Sequence, residues 1–387
     1  MKNYKELLEE NREWAKETFA KLDKKMQQVT LRNRDKLADG ADDGVHRERG
    51  IDWWTNGFWG GLNWLLYDYT KNEEYRKTAE ANERKLDGAF KKYTWLHHDV
   101  GFMWHLLSGA SYNITKDEDS KTRNLFAAAS LASRYVMPDN LDLGFIRAWN
   151  GKGVVENWTI IDCLMNLAQL YWASDVLGDD RFKRIAMAHA DMSIRDHLRD
   201  DGSVIHIVEH SRETGELVKV HGGQGYDENS SWSRGQAWAL YGFTISYIHT
   251  KEERYLNAAK QVANYYIANC CDDWLPRVDF RAPSKPDYYD CSGAACAACG
   301  LIELAKILPE NEGGMYMHGA VKILKAITEK FVDFNPAVDN MVNFSTGSYP
   351  TEERGYEKSW VHISLIYADY LYTEAVLKLL EAEYFPW

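Results

Sequence analysis

A chain of 387 residues with 45% apolar side chains can bury a large core, and its 8 prolines bar few segments from helix. A net charge of −12, with no lysine- or arginine-rich block, argues against nucleic acid and anionic membrane as partners. An anionic small substrate then requires local basic groups that offset the overall field.

The first residues, Met1 to Glu6, lead into a charged amphipathic helix without the apolar core of a signal peptide. No stretch is long and apolar enough to span a bilayer, so a cytoplasmic location is expected. The next element, Asp52 to Gly61, is rich in aromatics (Trp53, Trp54, Phe58, Trp59), which suit either a sugar-stacking platform or helix packing.

A phrase then recurs. Leu65 to Tyr75, Tyr171 to Phe182 and Ser246 to Tyr255 each read as an apolar helix end, a short polar turn and a new helix start with an early aromatic. The helices before the turns are apolar nearly all round. The helices after them are amphipathic, as in Tyr255, Ala258, Ala259, Val262, Ala263 and Tyr266. A buried inner helix followed by an amphipathic outer one, repeated, describes a helical toroid. Inner helices are expected to start near Asp52, Phe126, Glu156, Trp232, Ser292 and Trp360. Six such hairpins make an all-α (α/α)6 barrel, and with no linker-like stretch the expectation is one domain over 1–387.

Within this pattern, Asp99 in His97-His98-Asp99-Val100-Gly101-Phe102 reads by itself as a helix N-cap. Trp149 stands in a loop, where core packing explains an indole less well. The helix expected over Glu156–Val176 carries one narrow polar stripe, Asp162, Asn166 and Gln169, on an apolar surface. A carboxyl between Ile161 and Cys163 should be desolvated and its pKa raised, as a general acid requires. The pattern equally allows a buried aspartate that satisfies a neighbouring helix end.

Ser203 to His210, a turn at Glu213-Thr214-Gly215 and Leu217 to Val220 break the helical pattern and predict a β-hairpin on a rim loop. His206-Ile207-Val208-Glu209-His210 matches a zinc-peptidase spacing, but that chemistry needs a helix, since residues four apart in a strand lie about 13 Å apart. No metal and no cofactor is expected. The polar loop from Gln224 to Ser231 enters a helix on which Arg234 and Trp238 share a face. A guanidinium beside an indole suits a sugar acid, and also suits a structural cation–π pair. Cys291, Cys296 and Cys299, separated mostly by alanine, read as small hydrophobes in a packed helix rather than cluster ligands.

Together these segments resemble the unsaturated glucuronyl hydrolases of glycoside hydrolase family 88. The likeness spans nearly the whole chain. It rests on Trp54 to Trp59, His98 to Phe102, Ile160 to Leu167, Gln224-Gly225-Tyr226 with Trp232 to Trp238, and Tyr367 to Ala375. The resemblance implies an (α/α)6 barrel that hydrates the C4=C5 enol ether of a terminal unsaturated uronate, so that the sugar opens and falls away. It implies that Asp162 donates the proton at C4 and activates water for C5, and that Asp99 is the second essential carboxylate. It also implies substrate contacts by His206, Gln224, Arg234, Trp238, Trp149, Trp54 and His98. The family marks sulfated substrates partly by Ser-x-x-Ser-x-Lys. Here Ser345 and Ser348 are followed by Pro350 in the lysine's place, which puts a sulfated preference in doubt. A rhamnogalacturonyl hydrolase with a pectin-derived substrate and a sugar 2-epimerase on the same barrel are the rival readings.

Overall fold

In the computed structural model, which describes residues 2–150, 155–270 and 272–387, helices dominate. In chain order they are α1 (Tyr4–Arg32), α2 (Phe58–Thr70), α3 (Glu73–Leu86), α4 (Val100–Trp104), α5 (Ala110–Thr115), α6 (Glu118–Ala132) and α7 (Cys163–Leu177). They continue with α8 (Arg181–Asp196), α9 (Ser233–Thr250), α10 (Glu253–Asn269), α11 (Cys291–Ile307), α12 (Glu310–Phe331), α13 (Tyr356–Ser359) and α14 (Ile366–Leu379). A π-helical turn at His105–Gly109 joins α4 to α5, so the two act as one helix.

The ring follows from which helices are apolar on every side. In α7, α9, α11 and α14 nearly every residue is buried, and these pack in sequence on one another and on α2 and the α4–α5 helix to close an inner ring. Helices α1, α3, α6, α8, α10 and α12 bury one face against it. This is the (α/α)6 barrel expected from the repeats. Among the described residues no helix is long and apolar enough to cross a membrane.

The recurrent turn has a physical basis. Thr70, Thr115 and Thr250 each donate a hydroxyl back to the carbonyl four residues earlier and accept the amide two residues ahead. Lys71, Lys116 and Lys251 follow in the left-handed region at φ 58°, 63° and 59°, which ends each helix; Gly178 does the same after α7. The turn at Thr115-Lys116-Asp117 lies outside the three repeats marked in the sequence. As a result the second inner helix was expected near Phe126. The structure corrects this: Phe126 lies on the outer helix α6 and is exposed, and the inner helix is the stretch from Val100 to Thr115.

Among the described residues, eight short strands lie in the connections that lead into inner helices: β1 (Ala38–Asp42), β2 (Val45–Glu48), β3 (Tyr135–Val136), β4 (Phe145–Ile146), β5 (Trp158–Ile160), β6 (Ile207–His210), β7 (Leu217–His221) and β8 (Ser364–Leu365). The expected hairpin is β6–β7, and β5 adds a third antiparallel strand with Ile160 opposite Ile207. Residues Trp158 to Ile160 are therefore strand, not the helix start expected from Glu156, and α7 begins at Cys163. The β-branched and aromatic run Trp158-Thr159-Ile160 suits a strand that has a partner available across the chain. The Cys291, Cys296 and Cys299 side chains are buried along α11, as packing required.

Candidate active site

The antiparallel pairing of β5 with β6 decides where the first carboxylate sits. The strand hands over to α7 at Asp162, and the amide of Ile161 donates to the carbonyl of His206 at 3.1 Å. Asp162 occupies the N-cap position of α7 but makes no capping bond. Its Oδ1 is buried without a hydrogen-bond partner, and the equally unpartnered Nε2 of His206 stands 3.5 Å away. The desolvation expected between Ile161 and Cys163 is partial, because the side chain keeps 16% exposure.

His206 is oriented from behind. The amide of Gln224 donates to its Nδ1 at 2.8 Å, so the neutral ring carries its proton on Nε2, toward Asp162. Gly223, at φ 58°, makes this possible: a Cβ there would stand 2.0 Å from His206 Nδ1. The imidazole lies on Trp232, with ring centroids 4.4 Å apart, and the Arg234 guanidinium lies 4.4 Å from the same indole.

The second carboxylate heads another inner helix. Asp99 is at the N-cap position of α4, again without a capping bond. Its Oδ2 faces Nδ1 of His97 at 3.1 Å and Nε2 of His98 at 3.3 Å, and its Oδ1 accepts from Nδ2 of Asn166 at 3.1 Å. Burial pushes the Asp99 carboxyl up, but the contacts with His98, His97 and Asn166 outweigh it and hold the group below its ordinary range. Burial also pulls His98 down to about 4, against the attraction of Asp99.

Asn166 joins the two corners. Its Nδ2 also reaches the Asp162 carbonyl at 3.2 Å, and its Oδ1 accepts from the Phe102 amide at 2.8 Å. Gly101 permits the approach, since a Cβ there would lie 2.6 Å from Asn166 Oδ1. The third member of the expected stripe, Gln169, points elsewhere and donates to Asn124 at 2.7 Å.

The remaining candidates attach to this network. Gln224 Nε2 and Arg234 Nη2 both donate to the carbonyl of Gly347, at 2.6 and 2.7 Å. Arg234 is buried, and Nη1 pairs with Asp290 while also reaching Ser292 Oγ at 3.0 Å and the Thr346 carbonyl at 2.7 Å. The anion expected for Arg234 is therefore already present within the protein. Burial lowers the pKa of this guanidinium, yet Asp290 outweighs that and raises it. Arg234 does not pair with Trp238, which is buried against Phe102 at 5.2 Å. Trp54 meets Phe102 at 5.7 Å and Tyr367 at 5.0 Å. Trp149 covers His97 at 4.6 Å and His98 at 5.7 Å.

Two openings flank the network. A cavity of about 180 Å³ is bounded by Trp54, Gln224, Arg234, Gly347 and Tyr367, together with Asp39, Arg47, Arg49, Trp53 and Trp360. A cleft of about 340 Å³ is bounded by Trp95, His97, Trp149 and Asn150. The structure thus draws all nine residues singled out in the sequence into one connected set. No local pattern marks Asn166 as a brace, Trp232 as the surface under His206, or Arg47 and Arg49 as lining the cavity, and Asp290 was not singled out. An acid directly before the apolar helix at Cys291 was the available signal for Asp290.

Among the described residues, His97, His98 and Asp99 bring potential metal-ligand atoms within 4.8 Å of one another, but both imidazoles already face the carboxylate. His206 and His210 diverge: the first faces Asp162, and the second pairs with Asp196 at 2.8 Å.

The unsaturated glucuronyl hydrolase of Bacillus sp. (strain GL1) is 33% identical over 364 residues, covering 91% of this chain and 94% of its own length. The chain belongs to the unsaturated glucuronyl hydrolases. The unsaturated chondroitin disaccharide hydrolase of Streptococcus pneumoniae is 33% identical over 332 residues, 84% of this chain and 81% of that one. The crystal structure of the Bacillus sp. GL1 unsaturated glucuronyl hydrolase superposes with a TM-score of 0.86 at 29% identity, covering 94% and 96% of the two chains. A variant of the Streptococcus agalactiae unsaturated glucuronyl hydrolase, complexed with dGlcA-GalNAc6S, superposes at 0.81 with 25% identity over 96% and 94%. No family model matches the chain. As a member of these hydrolases, the protein is a glycoside hydrolase built on a helical barrel.

Proposed function

We propose that this unsaturated glucuronyl hydrolase removes the terminal 4,5-unsaturated uronate from glycosaminoglycan-type disaccharides left by polysaccharide lyases. In this reading Asp162 donates its proton to C4 of the enol ether, water adds at C5, and the proton released by that water returns to Asp162. The hemiketal formed at C5 then opens, and the anomeric carbon releases the second sugar. The observation that carries the assignment is the pair of buried, unpartnered atoms, Asp162 Oδ1 and His206 Nε2, 3.5 Å apart. Buried polar atoms are rarely left without partners, and such a pair is ready to receive substrate. Asp99, fully engaged and ionised, holds negative charge beside Asp162 and anchors the histidines next to it.

Substrate class is supported by the chondroitin disaccharide hydrolases among the relatives and by the sulfated disaccharide held in a similar structure. The test follows the ultraviolet absorbance of the double bond with unsaturated disaccharides of chondroitin, heparin, hyaluronan and rhamnogalacturonan. Loss with a glycosaminoglycan disaccharide is expected. Loss with the rhamnogalacturonan disaccharide alone would move the enzyme to pectin fragments, and no loss with any would overturn the assignment.

A further inference from the structure

The cavity bounded by Trp54, Gln224 and Arg234 is also lined by Asp39 of β1, Arg47 of β2, and Arg49 and Trp53 just after β2. Asp39 organises these side chains. Its Oδ1 accepts from Trp53 Nε1 at 2.8 Å and Thr55 Oγ1 at 3.2 Å, and its Oδ2 accepts from Arg47 Nε at 2.9 Å and Arg49 Nε at 3.2 Å. Arg47 also donates to Asp42 at 2.6 Å. Arg49 is held only through Nε. Among the described residues no acceptor pairs with either of its Nη atoms, although the residue lines the cavity.

Two indoles clasp that guanidinium, Trp53 at 5.5 Å and Trp360 at 5.3 Å. Trp360 comes from a distant part of the chain and adopts φ 49°, a left-handed backbone unfavourable for a bulky side chain. Backbone strain of this kind persists where a particular placement is required. The clasp fixes the plane of the guanidinium and lowers the entropy lost when its fork engages a planar anion.

The ion pairs around the cavity single out the same residue. Arg234 pairs with Asp290 and Arg47 with Asp39 and Asp42, while Arg49 shares Asp39 through Nε alone, so of the three arginines only Arg49 keeps both Nη atoms without an acceptor among the described residues. An anion that enters the cavity can be received by those two nitrogens.

We propose that Arg49, clasped between Trp53 and Trp360, is a specificity-determining cation that binds an oxyanion of the substrate through its two Nη atoms. The oxyanion is a carboxylate or a sulfate ester. This rests on the proposed action on anionic disaccharides and adds to it a recognition group in the cavity that Gly347 also lines.

Calorimetric binding and turnover are compared for wild type, Arg49→Gln and Arg49→Lys, with unsaturated disaccharides that carry or lack a sulfate ester. Arg49→Gln is expected to raise Kd and KM at least about tenfold while kcat at saturation stays nearly unchanged. Arg49→Lys, which keeps charge but not the planar fork, should fall between, and it carries the test if the glutamine variant does not fold. Equal loss on both disaccharides identifies the uronate carboxylate as the partner; loss confined to the sulfated one identifies the sulfate ester. Unchanged Kd in both variants, or no binding to wild type, overturns the proposal. Wild-type binding without loss of double-bond absorbance refutes the hydrolase assignment instead, and the Kd comparison still decides the role of Arg49.

Discussion

Asp162 and Asp99 occupy matching places, each the residue before the first turn of an inner helix, and neither uses its carboxylate as a cap. Their surroundings differ. Asp99 has every oxygen engaged by His97, His98 and Asn166, whereas Asp162 keeps a buried oxygen without a partner, facing a histidine nitrogen in the same condition. A saturated carboxylate is a fixed charge, and an unsaturated one can exchange a proton with a ligand. The same contrast separates two of the three arginines that line the cavity: Arg234 is enclosed by protein acceptors, and Arg49 has no acceptor at either Nη among the described residues.

The largest consequence concerns Asp162. Asp162→Asn is expected to lower kcat by about 10³-fold with binding and thermal stability nearly intact, read from the absorbance assay and calorimetry. Retained turnover would erase the contrast by placing the acid elsewhere. Asp99→Asn should cost less, about 10²-fold in kcat, and should also weaken binding, because His97 and His98 lose the charge that aligns them. If the two variants were equally inactive with unchanged binding, the division of roles would fail. Asn166→Ala removes the brace between the corners and leaves the Phe102 amide without its acceptor. A loss of about 1–3 kcal/mol in folding stability is expected, with a lesser fall in kcat, from denaturant titration beside steady-state rates.

The smallest effect is one of pH. Burial holds His98 at about 4 in the folded protein, below the ordinary histidine value. As pH falls from about 6.5, the unfolded chain takes up this proton first, so stability is lost between about 6.5 and 4 and is flat above. Asp99, held below its ordinary range, adds a loss only at still lower pH. His46, at about 4, and His105 and His197, at about 3, act in the same direction through burial. His98→Gln should therefore make melting temperature less steep in acid without abolishing the slope.

How much of this was readable from residues alone differs by element. The barrel was legible because Leu65 to Tyr75, Tyr171 to Phe182 and Ser246 to Tyr255 repeat one turn, and buried helices are apolar all round. The second inner helix was not, because Val100 to Thr115 carries Gly101, Gly109 and a π-helical turn, while Phe126-Ala127-Ala128-Ala129 imitates a buried run. Asp162 stood out as a carboxyl on an apolar surface. Its pairing with His206 depends on a strand pairing between segments 46 residues apart, which no local pattern encodes. The clasp on Arg49 is more distant still, since Trp360 joins it only through the loop at Gly347.

The central claim, that a proton is delivered to C4 of an alkene rather than to a glycosidic oxygen, is tested most directly by turnover in deuterium oxide with the product examined by NMR. Protonation by Asp162 from one face predicts deuterium at C4 in a single diastereomer, formed as fast as the double-bond absorbance disappears. Release of the second sugar before the absorbance falls, followed by deuterium on both faces of C4, would contradict it.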